Sequence, residues 1–386
     1  MDRKNSELGL GNSSLKILHV VGARPNFVKA AAVFRALSQN SVVDQAILHT
    51  GQHYDVNMSD VFFEQLDIGT PRFNLGVGSG SPAQQTADII KRFEPVVSAG
   101  HPDWVLVYGD VNSTVAAALV CSKIAIRLAH VEAGLRSFDR RMPEEINRVL
   151  TDQLADLLFT PSEDANRNLA CEGITSERVH LVGNVMIDTL IRMLPQAAFA
   201  IPADIPENFI LVTLHRPSNV DDADWLSNML KTLLALSQRL PIVFPIHPRT
   251  RERMRAAGLE ASGERIHFMN PISYVSFLAL EQRAKLVITD SGGIQEETTF
   301  LRVPCLTLRE NTERPITVSM GTNEVVGRDL SKVAAAASEF FSGKVRRGQI
   351  PPLWDGHAAE RIAAVLRREH GKQVLESIPQ CQTSRT

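Results

Sequence analysis

Three carboxylates stand at places where proton transfer could be done. Asp110 lies in VYGDVNST, Glu132 in AHVEAGLRS, and Glu144, with Glu145 beside it, in RMPEEINR. General acid and base work needs paired carboxylates in different environments, and residues that follow a buried strand project into the mouth of an α/β fold. Asp110 and Glu132 each follow an apolar run. A second role stays open for Asp110, as a cap for the helix beginning near Asn112. Glu145 and Arg148, spaced i,i+3, fit a surface ion pair.

Other segments suit an anion. In GARPNFVK, Gly22 permits a tight turn and Pro25 suits the first turn of a helix, so Arg24 and Lys29 would flank a helix N-terminus; a solvated turn explains the segment equally well. In DSGGIQEE, Ser291, Gly292 and Gly293 open a helix with unencumbered backbone N–H groups, which suits a diphosphate, although a plain Gly-rich helix start explains the turn equally well. Glu297, one turn further on, could accept both hydroxyls of a ribose, and Arg314 in TERPIT offers another cation. His215, with Arg216, closes the run FILVTL as a proton carrier or phosphate donor, and a structural histidine explains it equally well. His53 in TGQHYD and His247 in PIHPR are weaker candidates of the same kind. The sequence contains no GxGxxG or GxxxxGK[ST] fingerprint, no zinc-like ligand spacing and no GxSxG elbow, which argues against dinucleotide, ATP, metal and serine-hydrolase chemistry.

Elements must hold these groups in place. From Leu15 short apolar runs alternate with longer amphipathic ones, the rhythm of a parallel sheet with crossover helices. After the Pro- and Ala-rich bridge MLPQAAFAIPADIPEN the rhythm restarts at FILVTL. With 386 residues, two α/β domains are expected: a tail over 1–14, a Rossmann-like domain carrying the acid/base residues over 15–195, and a second, ligand-binding one over 207–352. A helix over 353–372 is expected to pack back on the first domain, and 373–386 form a tail. Strand ends of both domains would face one cleft. A formal net charge of −2 leaves no basic field for nucleic acid or an anionic membrane. No apolar run is long enough to span a bilayer, which points to the cytoplasm. The scattered Cys121, Cys171, Cys305 and Cys381 read as buried free thiols in a reducing compartment.

Taken in order, GARPNFVK, TGQHYD, YGDVNST, HVEAGLRS, MPEEINR, LHRP, TDSGGIQEE and NTERP resemble the non-hydrolysing UDP-N-acetylglucosamine 2-epimerase family, from about Leu15 to Arg368. The resemblance implies a glycosyltransferase-B-like fold, usually a homodimer, a UDP-sugar substrate, and no cofactor or metal. It matches Arg24, Lys29, Asp110, Glu132 and His215 to active-site positions, with Glu144 as a further acid/base candidate. Ser291, Gly292, Gly293, Glu297 and Arg314 match UDP-binding positions, and Phe277 with the Ile272 backbone matches the uracil contacts. Val111 stands where the family often has Thr, and Asp55 where it often has Gln. The segments AGLRSFDRRMPEEINR and LHRPSNVDD resemble a subgroup that includes enzymes for modified sugars, so a diacetamido or uronic-acid analogue stays open as substrate. A hydrolysing relative, a glycosyltransferase of the same fold and a non-catalytic UDP-sugar sensor are the alternatives.

Overall fold

The computed structural model describes residues 14–39, 42–51, 66, 68–259, 265–344 and 346–376. They contain two parallel sheets. The first comprises β1 (Leu15–Val21), β2 (Val43–His49), β3 (Phe73–Asn74), β4 (Trp104–Tyr108), β5 (Leu128–Val131), β6 (Leu157–Thr160) and β7 (Val179–Leu181), in spatial order β3-β2-β1-β4-β5-β6-β7. Its helices include α1 (Arg24–Ser38), α2 (Pro82–Gly100), α3 (Asn112–Ile124), α4 (Pro143–Leu154), α5 (Glu163–Cys171) and α6 (Val185–Ala197). Every residue of β4 and β5 is buried, which is why these strands read as unbroken apolar runs rather than as alternating ones.

The second sheet holds β8 (Ile210–Thr213), β9 (Ile242–Pro245), β10 (Ile266–Met269), β11 (Leu286–Thr289), β12 (Cys305–Thr307) and β13 (Asn323–Val325), in order β10-β9-β8-β11-β12-β13. Between its strands run α7 (Pro217–Val220), α8 (Ala223–Ser237), α9 (Pro248–Ala256), α10 (Tyr274–Arg283), α11 (Gly292–Leu301) and α12 (Pro315–Ser319), and α13 (Leu330–Phe341) follows β13. Side chains alternate across β8: Ile210 and Val212 join one core with Leu226, Met229 and Leu233, while Leu211 joins another with Leu280, Val287 and Ile294.

Both sheets carry the Rossmann strand order, and the order reverses between β1 and β4 in the first and between β8 and β11 in the second. At such a switch point neighbouring loops diverge to opposite faces and leave a crevice at the C-terminal strand ends. The strand register puts the critical loops there. Thr213 pairs with Thr289, so the residues that follow, from Leu214 and from Asp290, leave the sheet side by side.

The described residues form two compact units. One takes the described parts of Met1–Val131, Leu150–Leu158 and Ala359–Thr386; the other takes Glu132–Val149 and the described parts of Phe159–Ala358. The last helix, α14 (Ala358–Glu376), buries Ala359, Ile362, Ala363 and Leu366, a stripe at helical spacing. Two sequence readings change in detail. Helix α6 continues through MLPQA, with Pro195 in its last turn, so the bridge begins only after Ala197. Cys121 and Cys305 are buried, and burial pushes both thiols up to about 12, but Cys171 at the end of α5 is exposed. Cys381 lies outside the described residues. No helix among the described residues is long and apolar enough to cross a membrane.

Candidate active site

In the first unit the turn after β1 is tied to the turn after β4. The backbone N–H groups of Gly22 and Ala23 donate to Asn26 Oδ1 at 3.2 and 3.0 Å, and Asn26 Nδ2 donates to the Tyr108 carbonyl at 2.7 Å. Gly22 cannot be replaced cheaply: a Cβ there would lie 2.1 Å from Ser113 Oγ. Lys29 is buried, and its ammonium sits against Gly109, where a Cβ would approach Nζ to 2.9 Å. His130 holds the same turn, donating from Nε2 to the Gly109 carbonyl at 2.8 Å while Nδ1 faces Asp152 at 2.6 Å. Asp110 follows directly and is half-buried; the N-cap position of α3 falls one residue later, on Val111, which has no capping side chain. The Arg24 side chain and His53 lie outside what is described.

The second unit gathers most of the candidates. Glu132 is buried and adopts a left-handed backbone, φ +72°, a conformation costing a non-glycine residue about 1 kcal/mol or more. Its Oε1 accepts from Arg314 Nη2 at 2.8 Å. The same guanidinium pairs through Nε with Glu296 at 3.0 Å and through Nη1 with Glu313. Gly292, the first residue of α11, lies against this cluster; a Cβ there would come within 2.7 Å of Arg314 Nη1 and 2.9 Å of Glu313 Oε1. A side chain at position 292 would therefore have to displace the Arg314–Glu313 pair where the helix N-terminus meets the guanidinium. At Gly293 the nearest neighbour of a Cβ would be Met186 at an ordinary 3.6 Å. Glu313 also faces Arg309 at 2.6 Å and Arg148 at 3.8 Å. Burial works against its charge, but Arg314, Arg309 and Arg148 outweigh it and hold the carboxyl well below its usual range.

His215 is placed by a carboxylate that sequence reasoning missed. Asp290, fully buried after β11, accepts from the backbone N–H of His215 and Arg216 at 3.1 and 2.9 Å and from Asn219 Nδ2 at 3.1 Å, and it pairs with His215 Nδ1 at 2.9 Å. Burial opposes its ionisation, yet the bonds from His215, Arg216 and Asn219 prevail and keep its pKa low. Asp290 immediately precedes SGG, so the signal was position: a carboxylate at a strand end next to a loop histidine. The His247 ring stands 6.0 Å from that of His215. Arg216 is incompletely compensated: burial and the nearby Arg309 disfavour its charge more than Glu313, Glu144 and Asp290 support it. Since a guanidinium does not give up its proton in such a setting, an arriving anion would relieve it.

The pair Glu145–Arg148 is not at the surface. Both residues are buried, and Glu145 accepts from Ser137 N–H, Phe138 N–H and Arg148 Nη1 at 2.9, 2.9 and 2.5 Å. It is a fixed brace for the loop before α4, whereas Glu144, half-buried in the first turn, is placed near Arg216. Glu297 is buried and accepts from Tyr274 Oη at 2.7 Å, and Ile272 and Phe277 pack on the apolar cluster that contains Ile294. No group of three or more metal-ligating side chains occurs among the described residues.

Asp290→Asn is expected to lower kcat by about tenfold to a hundredfold by releasing His215. In a His215→Ala background the same change should cost little further, because the two act as one unit. Additive losses in the double variant would place the role of Asp290 elsewhere.

The fold and this arrangement define a class: an α/β protein of glycosyltransferase-B-like fold, with carboxylates, cations and a Gly-rich helix start at the strand ends. The family model described as UDP-N-acetylglucosamine 2-epimerase matches residues 35–367. The chain belongs to that family and is an isomerase. It is 42% identical over 364 residues to a UDP-N-acetylglucosamine 2-epimerase of Methanocaldococcus jannaschii, covering 91% of this chain and 99% of that one. It is 41% identical over 357 residues to a UDP-2,3-diacetamido-2,3-dideoxy-D-glucuronate 2-epimerase of Pseudomonas aeruginosa, covering 92% and 100%. Among solved structures, the M. jannaschii enzyme in complex with UDP-GlcNAc and UDP superposes with a TM-score of 0.86 at 41% identity, covering 92% and 99%. The Neisseria meningitidis enzyme bound to UDP-GlcNAc does so at 0.83 and 30%, covering 92% and 100%.

Proposed function

We propose that the chain reversibly inverts C2 of a UDP-N-acetylhexosamine by eliminating and re-adding UDP, without releasing the free sugar. The observation that carries this reading is the meeting of Glu132 and Arg314 beside Gly292. A carboxylate fit for proton transfer is held at a cation and a helix N-terminus fit for a diphosphate.

The C2–H bond is too weakly acidic to ionise alone, so its loss is coupled to departure of a good leaving group. A carboxylate takes the C2 proton, the electron pair forms the C1–C2 double bond, and the C1–O bond breaks to give UDP and a 2-acetamidoglucal. UDP then adds back to C1, and a carboxyl group delivers a proton to the opposite face of C2. Asp110, Glu132 and Glu144 share these proton transfers. Arg24, Lys29, His215 and the Ser291–Gly293 turn stabilise the charge growing on the diphosphate; Arg314 and Glu297 hold the nucleotide, and Ile272 and Phe277 take the uracil. Arg216, poorly compensated in the protein alone, joins the diphosphate contacts. The unsaturated sugar must be kept from water. No cofactor or metal enters the scheme, and the working form is a cytoplasmic homodimer.

Incubation with UDP-GlcNAc and with its diacetamido and uronic-acid analogues in D2O tests this. NMR should show the C2 epimer still joined to UDP, with deuterium at C2. Retention of the original hydrogen contradicts elimination, and release of free N-acetylmannosamine with UDP identifies a hydrolysing enzyme instead.

A further inference from the structure

Helix α10 buries an acid that the reaction scheme leaves unused. Glu281 has no exposed surface, and neither of its oxygens finds a donor among the described residues. What it meets is a second carboxyl, that of Glu297 on α11, within hydrogen-bond reach. Two ionised carboxylates in contact inside a protein repel each other and lose their hydration, so a single proton between them is the stable arrangement. The surroundings decide which acid keeps it. Tyr274 donates to Glu297 at 2.7 Å and supports negative charge there, while nothing supports charge on Glu281. Burial, followed by the neighbouring Glu297, pushes Glu281 well above the usual carboxylate range. Burial also raises Glu297, but the bonds from Tyr274 and Glu281 act against it.

We propose that Glu281 is a positioning residue: as a neutral acid it donates a hydrogen bond to Glu297 and, with Tyr274, fixes that carboxylate in the orientation that receives the ribose diol of the nucleotide. A carboxylate offers about four acceptor positions. The two internal donors occupy about half of them and leave the rest for vicinal hydroxyls. The inference rests on the reading of Glu297 as the ribose contact, and it adds the reason that this carboxylate, buried but for 3% of its surface, holds one orientation.

Calorimetric titration with UDP and with 2′,3′-dideoxyuridine diphosphate separates the claims. The wild-type chain should bind UDP well above the dideoxy nucleotide. Glu281→Ala should weaken UDP by about tenfold and the dideoxy nucleotide less than about twofold. Glu281→Gln, whose amide N–H replaces the acid proton, should keep UDP within about twofold of wild type. It should also remove from the infrared spectrum at neutral pH the carbonyl band of one protonated carboxylic acid. If the wild-type chain does not distinguish the two nucleotides, the ribose reading fails, and this inference falls with it. If it does distinguish them but Glu281→Ala leaves the ratio intact or weakens both alike, the inference alone is overturned. Should Glu281→Ala not fold, Glu281→Gln decides: loss of UDP affinity, or an unchanged carboxyl band, overturns it.

Discussion

Glu132→Gln is expected to lower kcat by about a thousandfold while binding UDP no more weakly than the wild-type chain. The amide keeps the shape of the side chain and an oxygen that can still accept from Arg314 Nη2, but it cannot take up a proton, and acid/base catalysis is worth about 10²–10⁴ in rate. Arg314 meanwhile loses one of the three carboxylates that now surround it. Its uncompensated positive charge beside Gly292 grows, which favours an anion at the start of α11. The two readouts therefore separate. Steady-state turnover and calorimetric UDP affinity measured on one preparation check this, and parallel losses in both would make Glu132 a structural partner of Arg314 rather than a proton carrier.

Much of this was legible because parallel strands covered on both faces leave a plain trace. Runs such as WVLVY and KLVIT are wholly or almost wholly buried, and the polar residues that follow them had to lie at strand ends. Asp110, Glu132 and His215 were found in that way. Spatial strand order leaves no such trace, so the switch points between β1 and β4 and between β8 and β11 emerged only from the sheets. Burial of charge was also hidden. The spacing of Glu145 and Arg148 is equally that of an exposed pair, and nothing local says that loop amides converge on Glu145. Asp290, Glu296, Glu313 and Glu281 were missed for a related reason. Each acts on a residue distant in sequence or belongs to a motif whose neighbour attracted attention, and its importance lies in what it holds. Arg314 was chosen as a cation for the nucleotide, but its three carboxylate partners come from sequence separations of 182, 18 and 1 residues.

Those partners make Arg314 a position where one substitution should cost much of the stability. Arg314→Ala leaves Glu132, Glu296 and Glu313 buried without their common cation. Breaking a buried pair from one side costs about 3–5 kcal/mol, because the remaining charge keeps its desolvation penalty and loses its compensation. The sign with pH follows from Glu313, whose folded-state pKa lies well below its ordinary value under the influence of Arg314, Arg309 and Arg148. A lowered carboxyl pKa contributes stability that is present above the unfolded value, about 4.3, and is lost as pH falls through the folded one. Removing Arg314 takes away part of that contribution, so the difference from wild type should be largest near neutral pH and shrink as the solution is acidified and the carboxyls become neutral. Arg314→Lys should fall between the two, since a compact ammonium cannot present the planar fork that reaches three carboxylates at once. Denaturant unfolding of the three proteins across a pH series measures this directly. A loss for Arg314→Ala that stays constant with pH would mean that the side chain matters through its packing volume, not through the charge that joins the loop after β5 to the start of α11.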